Sequence, residues 1–199
     1  MNLSPLMLVT SRHQMKPSFE HCLEAALLGG ASLIQLREKD LDPTLFMFLA
    51  EVCRKLCSHY NAELLINGRP KTAQRLKIGG LHLPESALGM DVLPKFPVMG
   101  ISVHSLENAK RAEALGADYL IYGSVFSTAS HPETAPVGLD ELSKVTQAVS
   151  CPVYAIGGIS AANAKSCKEA GAYGVAVMSA VWQAPDATQA VRDLLEALL

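Results

Sequence analysis

Charge is scarce in this chain, and neither sign dominates it. Charged residues make up 18% of the 199, and the formal net charge is -2, so there is no electrostatic reason to expect nucleic acid or an anionic membrane as a partner. Long hydrophobic runs are missing too: none approaches the roughly 18 residues that a membrane span needs. No basic stretch followed by an apolar one opens the chain as a secretory leader would. The expectation is a cytoplasmic protein whose partner is a small molecule, with any phosphate on that molecule captured locally. Oligomeric state is left open, a homo-oligomer included.

Cysteine is few and odd in number. Five thiols without secretory context argue for reduced side chains rather than a disulfide framework. Cys53 and Cys57 stand four apart with His59 nearby, but no second ligand pair at zinc-like spacing accompanies them. Packing on the inner face of a helix is the simpler reading, so no metal site is expected. Linkers rich in Pro, Gly or Ser are also lacking, which makes residues 1–199 one domain.

What the chain does have is alternation. Short β-rich runs lie at 6–10, 32–36, 63–67, 80–83, 98–102, 118–123, 152–157 and 174–179, most of them apolar throughout, as parallel strands covered on both faces are. Between them stand stretches with apolar residues three and four apart, the helical period. The third and fourth of these, "KTAQRLK" and "ESALGMDVL", allow only short helices. Eight such units predict a (β/α)8 TIM barrel. A doubly wound open sheet is the alternative, but it normally carries a phosphate-binding glycine loop after its first strand, and "LVTSRHQ" has none. "LLINGRP" (64–70) contains the Asn-Gly pair of a hairpin turn; in the eight-unit pattern it is the mouth of the third strand, with Pro70 opening a helix.

In a barrel the C-terminal strand ends converge on the face that carries chemistry. In "QLREK", Gln35, Arg37 and Lys39 recur at period two, which puts an amide, a guanidinium and an ammonium on one side of an extended segment, suited to a planar anion. A solvated strand end paired with Glu38 is the competing reading. "AIGGIS" and "VMSAV", after the seventh and eighth strands, occupy the usual barrel phosphate position, which selects Gly157, Gly158, Met178 and Ser179. His82 and His104 are either structural histidines or acid–base groups. His131 lies in the loop "STASHPETAP", where a side chain is free to enter and leave a site.

Several segments, "LIQLREKD", "INGR", "GLHLPES", "GISVHSLENAKRAEALGADYLIYGSVFST" and "YAIGGISAANAKSCKEAGAYGVAVMSAV", together resemble the thiamin phosphate synthase superfamily. The likeness runs in order from about residue 6 to residue 183. "INGR", "LHLP" and "SVHSLE" look most similar to its TenI-type thiazole tautomerase branch. The resemblance implies a (β/α)8 barrel handling a thiazole phosphate. It puts Gln35, Arg37 and Lys39 around a pyrimidine and its diphosphate, Gly157, Gly158, Met178 and Ser179 around the thiazole phosphate, and Asn67, Ser102 and Thr128 on the pocket wall; His82, at the end of the fourth strand, is a further substrate-binding candidate.

Departures from the pattern matter as much. Where synthases of this superfamily carry two metal-serving Asp residues, this chain has Gly68 and, by spacing, Ala87, with Glu85 the only nearby carboxylate. Mg2+, which takes oxygen ligands, is therefore expected only if the chain is a synthase. Where tautomerases carry a histidine in "G-H-V-F", this chain has Ser124, which leaves His131, then His104, as proton-transfer candidates beside Ser124 itself. The first expectation is a metal-independent thiazole tautomerase needing no cofactor. The alternatives are a thiamin phosphate synthase, a non-catalytic thiazole-phosphate-binding or regulatory homologue, and an unrelated barrel isomerase.

Overall fold

The computed structural model describes residues 3–90, 93–128, 133 and 135–199. Eight parallel strands close on themselves in chain order: β1 (Leu6–Val9), β2 (Leu33–Leu36), β3 (Glu63–Asn67), β4 (Gly80–Leu83), β5 (Val98–Val103), β6 (Tyr119–Gly123), β7 (Val153–Ile156) and β8 (Gly174–Val177), with β8 pairing back onto β1. The helices are α1 (Phe19–Leu28), α2 (Pro43–His59), α3 (Pro70–Arg75), α4 (Leu106–Ala114), α5 (Gly138–Ala148), α6 (Ala161–Glu169), α7 (Ser179–Trp182) and α8 (Ala187–Ala197). The predicted (β/α)8 barrel is the observed fold. A 3-10 turn, Glu85–Gly89, stands after β4 in place of a helix, and α7 is a one-turn helix that the sequence pattern did not announce.

Local chemistry explains where the helices start. Asp42 accepts hydrogen bonds from the N–H groups of Thr44 and Leu45 at 2.8 and 3.1 Å, with Pro43 as the first helical residue. Ser18 and Ser105 cap α1 and α4 in the same way. Each cap satisfies N–H groups that have no partner inside the helix, and losing one costs about 1 kcal/mol.

The core has two parts. Alternate strand residues face outward to pack under the helices, and the others fill the barrel. Met7, Val9, Leu33, Leu65, Tyr119, Ile121, Tyr154 and Ala176 form that inner cluster. Inside it the Tyr119 ring takes the volume that a side chain at position 100 would need: a Cβ on Gly100 would lie 2.0 Å from Tyr119 Cζ. Gly100 is thus required by close approach rather than by backbone conformation. Among the described residues, no helix is long and apolar enough to cross a membrane.

Candidate active site

Above the inner apolar layer, the barrel opens at its C-terminal face into a cavity of about 570 Å3, a volume suited to a small ligand. Inward-facing residues one step further along the strands supply its floor: Gln35 on β2, Asn67 on β3, Ser102 on β5 and Ile156 on β7. Asn67 Nδ2 donates to Gln35 Oε1 at 2.9 Å, while Gln35 Nε2 lies 3.4 Å from Met7 Sδ. Gln35 is buried and its amide is therefore held by neighbours on both sides.

Arg37 continues the same face of the chain past β2 and lines the cavity half-buried. Among the described residues its guanidinium makes no ion pair or hydrogen bond. Burial lowers its pKa, and the neighbouring Glu38 charge counteracts this only in part. Glu38 points away to other work. It is buried and accepts from Thr10 Oγ1 at 2.8 Å, from the Arg12 backbone N–H at 3.0 Å and from Arg12 Nη1 at 3.1 Å. Thr10 Oγ1 in turn accepts from the Arg37 backbone N–H at 3.0 Å. Arg12 is also paired with Asp40, which holds the Asp40 carboxyl well below its ordinary range. The carboxylates near the β1 and β2 ends are thus spoken for, and no Asp or Glu stands among the described lining residues. A cation without a partner among the described residues, facing a described lining without carboxylates, is chemically suited to an anion.

A second such region lies where β7 and β8 end. Gly157 and Gly158 have φ of +102° and +63°, and a Cβ on either would strike the loop after β6: Ser124 Oγ at 2.1 Å, or the Ser127 carbonyl oxygen at 2.3 Å. The turn therefore brings bare backbone to the cavity wall beside Met178 and Ser179. Backbone presented this way, at the ends of strands seven and eight, is the usual phosphate position of this architecture.

Beneath Ser102 lies His82, buried, with Nε2 2.8 Å from Ser102 Oγ and Nδ1 3.0 Å from the Tyr119 hydroxyl. Burial first, and then the Arg37 charge, push the imidazole down to about 3, so it is neutral at neutral pH. At the rim His104 lines the cavity with Nδ1 2.6 Å from Glu85 Oε2; Glu85 also accepts from the His104 backbone N–H and from Asn108 Nδ2.

A family model described as thiamine monophosphate synthase matches residues 6–181. A protein of Aquifex aeolicus named putative thiamine-phosphate synthase 2 is 42% identical over 183 residues, covering 90% of this chain and 98% of the relative. The thiamine-phosphate synthase of Clostridium botulinum is 34% identical, with 96% of each chain covered. A solved thiamine phosphate pyrophosphorylase from Pyrococcus furiosus superposes with a TM-score of 0.85 at 35% identity, over 97% of this chain and 94% of that one. The chain belongs to the thiamine monophosphate synthase family. The relatives that place it in that family carry the synthase name, so the TenI-type tautomerase expectation gains no support from them, and the synthase alternative is the better supported of the two.

For this member of the synthase family, the structure gathers Gln35, Arg37, Asn67, Ser102, His104, Ser124, Thr128, Gly157, Gly158, Met178 and Ser179 around one cavity. Two expected residues lie elsewhere. His82 belongs to the layer below, because its β4 position pairs with Asn67 and Gly100 and is roofed by Ser102. Lys39 is exposed beyond the lip, off the cavity wall. Ser124 lies on the wall with its hydroxyl donated to the Phe126 carbonyl at 3.2 Å. His131 lies outside the described residues. Ser11 and Gln14, in and beside the 3-10 turn Arg12–Gln14 after β1, line the cavity although the sequence reading did not select them. The signal for them was the polar run directly after the first strand. Among the described residues Gln14 Oε1 is buried without a hydrogen-bond partner.

The Mg2+ of family synthases meets a poor donor set. Position 68 has no side chain, and Ala87 is a buried residue within the 3-10 turn. Glu85 is engaged by His104 and Asn108. Among the described residues no group of three or more His, Cys, Asp or Glu side chains is assembled for a metal. Amides and hydroxyls are what remain, and a hard divalent cation is held by carboxylate or phosphate oxygens. The described side chains do not fit the ion.

Proposed function

We propose that the chain acts on a phosphorylated thiazole, and that its reaction is the one for which its relatives are named: joining that thiazole phosphate to a pyrimidine diphosphate. The observation that carries this is the pairing, in one cavity, of a half-buried Arg37 that has no side-chain partner among the described residues with the backbone turn at Gly157–Gly158 and Ser179. Two anion-seeking regions on one rim suit two phosphorylated partners.

In this reaction the thiazole nitrogen lone pair forms a bond to the pyrimidine's methylene carbon while the bond from that carbon to the diphosphate oxygen breaks. Pyrophosphate leaves with the electron pair. Arg37 is positioned to take the charge that gathers on it, and stabilisation of that kind is typically worth several kcal/mol. No step is assigned to a metal. The test supplies both phosphorylated substrates to the purified protein, with and without added Mg2+, and measures thiamin phosphate and released pyrophosphate. Formation of both in equal amounts supports the transfer; their absence under both conditions removes it.

One observation favours a second reading, the aromatising isomerisation of a thiazole phosphate carboxylate. The described wall has no carboxylate to repel that substrate, and Glu85 holds Nδ1 of His104, whose other nitrogen has no partner among the described residues. A rate above the spontaneous isomerisation, lost in His104→Gln, would favour it. Tight binding of the thiazole phosphate with no turnover in either assay would instead identify a binding protein.

A further inference from the structure

His82 and Tyr119 touch no ligand surface, yet the chain spends buried polar groups on them. His82 is 1% exposed and Tyr119 is fully buried. The two rings stack with centroids 5.6 Å apart, and Tyr119 meets Tyr154 edge-on at 5.7 Å. Among the described residues the Tyr119 hydroxyl has one hydrogen-bond partner, His82 Nδ1, and His82 Nε2 has one, Ser102 Oγ. Of the three residues, Ser102 alone lines the cavity.

Proton counting fixes the direction of this chain of bonds. A phenol has one hydrogen to give, and here one acceptor to give it to, the Nδ1 lone pair. A neutral imidazole whose Nδ1 accepts must carry its hydrogen on Nε2, so Nε2–H donates to Ser102 Oγ. The serine oxygen then has its inner side occupied by an incoming proton and its own hydrogen left for the cavity. The reverse order would leave the phenol hydrogen with no acceptor deep in the barrel, which is the costlier arrangement.

We propose that Tyr119 and His82 are positioning residues that turn the Ser102 hydroxyl proton toward the cavity, so that the site favours a substrate presenting a hydrogen-bond acceptor at that point. A serine in water offers either a proton or a lone pair. Ser102 has one lone pair taken by His82 Nε2–H and its own proton directed to the cavity, so a ligand acceptor is favoured there over a ligand donor. Specificity of this kind resides in the buried partners rather than in the residue the ligand touches. That the cavity holds a ligand at all rests on the proposed function; the order of the three bonds does not.

The experiment uses the full chain, labelled with 15N, and reads the ring of His82 by long-range proton–nitrogen correlation at neutral pH, its signals identified by their loss in His82→Gln. The expected spectrum shows a protonated Nε2 and a bare Nδ1. A protonated Nδ1, or a fully protonated ring, overturns the inference. Calorimetric titration with the thiazole phosphate then asks whether Tyr119 acts through Ser102. Tyr119→Phe keeps the ring that packs against Gly100 and Tyr154 and removes only the hydroxyl. Tyr119→Phe and Ser102→Ala are each expected to weaken binding about tenfold, one charge-free hydrogen bond's worth, and the double variant no more than Ser102→Ala alone. Losses that multiply in the double variant refute action through Ser102. If the wild-type protein does not bind the thiazole phosphate, the proposed function falls, and the ring spectrum alone decides the relay.

Discussion

Replacing Arg37 by Met separates what the cavity does for binding from what it does for folding. The guanidinium is half-buried and has no partner among the described residues, and burial outweighs the help it gets from Glu38. Holding a charge there costs stability, since an unpaired polar group in a partly dry site has lost water without replacement. Methionine keeps most of the apolar stem. The melting temperature of Arg37→Met is therefore expected to stay level or rise by up to about 4 °C, the shift that ~1 kcal/mol produces in a domain of this size. Binding should move the other way. A hydrogen bond to a charged group is worth about 1.5–3 kcal/mol, so affinity for inorganic pyrophosphate should fall by roughly 10- to 150-fold. The two readouts are differential scanning fluorimetry and isothermal titration calorimetry on the same preparations. A melting point that drops by more than a few degrees would mean that Arg37 is a structural residue. Unchanged pyrophosphate affinity would mean that its charge is not the anion site.

Two further outcomes follow from the barrel interior. Gly100→Ala places a methyl 2.0–2.4 Å from three atoms of the Tyr119 ring, and since that ring is walled in by His82 and Tyr154 it cannot step aside. Overpacking of a filled core costs about 1–3 kcal/mol or more, to be measured as a lowered urea midpoint; a wild-type midpoint would contradict the packing described. The His82 imidazole, held down to about 3 in the folded protein, is charged in the unfolded chain below about 6.5. Between those values the unfolded state binds the extra proton. Stability from this group is thus full above about 6.5 and falls with pH down to 3, by up to about 1.4 kcal/mol per unit. His82→Gln should show a shallower loss across that window in urea titrations, and an unchanged slope would refute the assignment.

How much of this was legible in the sequence depended on whether a property repeats along the chain or depends on stagger around the barrel. Strand positions came through within a residue or two at each end, because parallel strands buried on both faces announce themselves as apolar runs, and "ELLIN" and "GLHL" matched at both ends. Gln35 was selected on the period-two spacing of "QLREK", and Asn67 and Ser102 on the family resemblance; each is an inward residue near the end of its strand, and each lines the cavity. His82 obeyed the same alternation but lies one layer lower, since the register of β4 against β3 and β5 sets its depth, and register is a three-dimensional quantity. Lys39 kept the period-two spacing of "QLREK", but β2 stops at Leu36, and beyond it the chain turns Lys39 out to solvent. Glu38 looked like a partner for the cations beside it in sequence. It is instead bonded to Thr10 and Arg12 from the neighbouring strand end, and that withdrawal leaves the Arg37 guanidinium without a partner among the described residues. Ser11 and Gln14 were hidden because the turn after β1 has no periodicity to betray which side faces in.

The claim that matters most is that the turn at Gly157–Gly158, with Ser179, seats the phosphate of a thiazole ligand while the ring reaches toward Ser102. The measurement that meets it most directly is a crystal structure of the full chain grown with the thiazole phosphate. The account predicts the phosphate against that turn and a ring acceptor within hydrogen-bond reach of Ser102 Oγ. A phosphate seated on Arg37 with the turn empty, or a cavity that stays unfilled at saturating ligand, would contradict it.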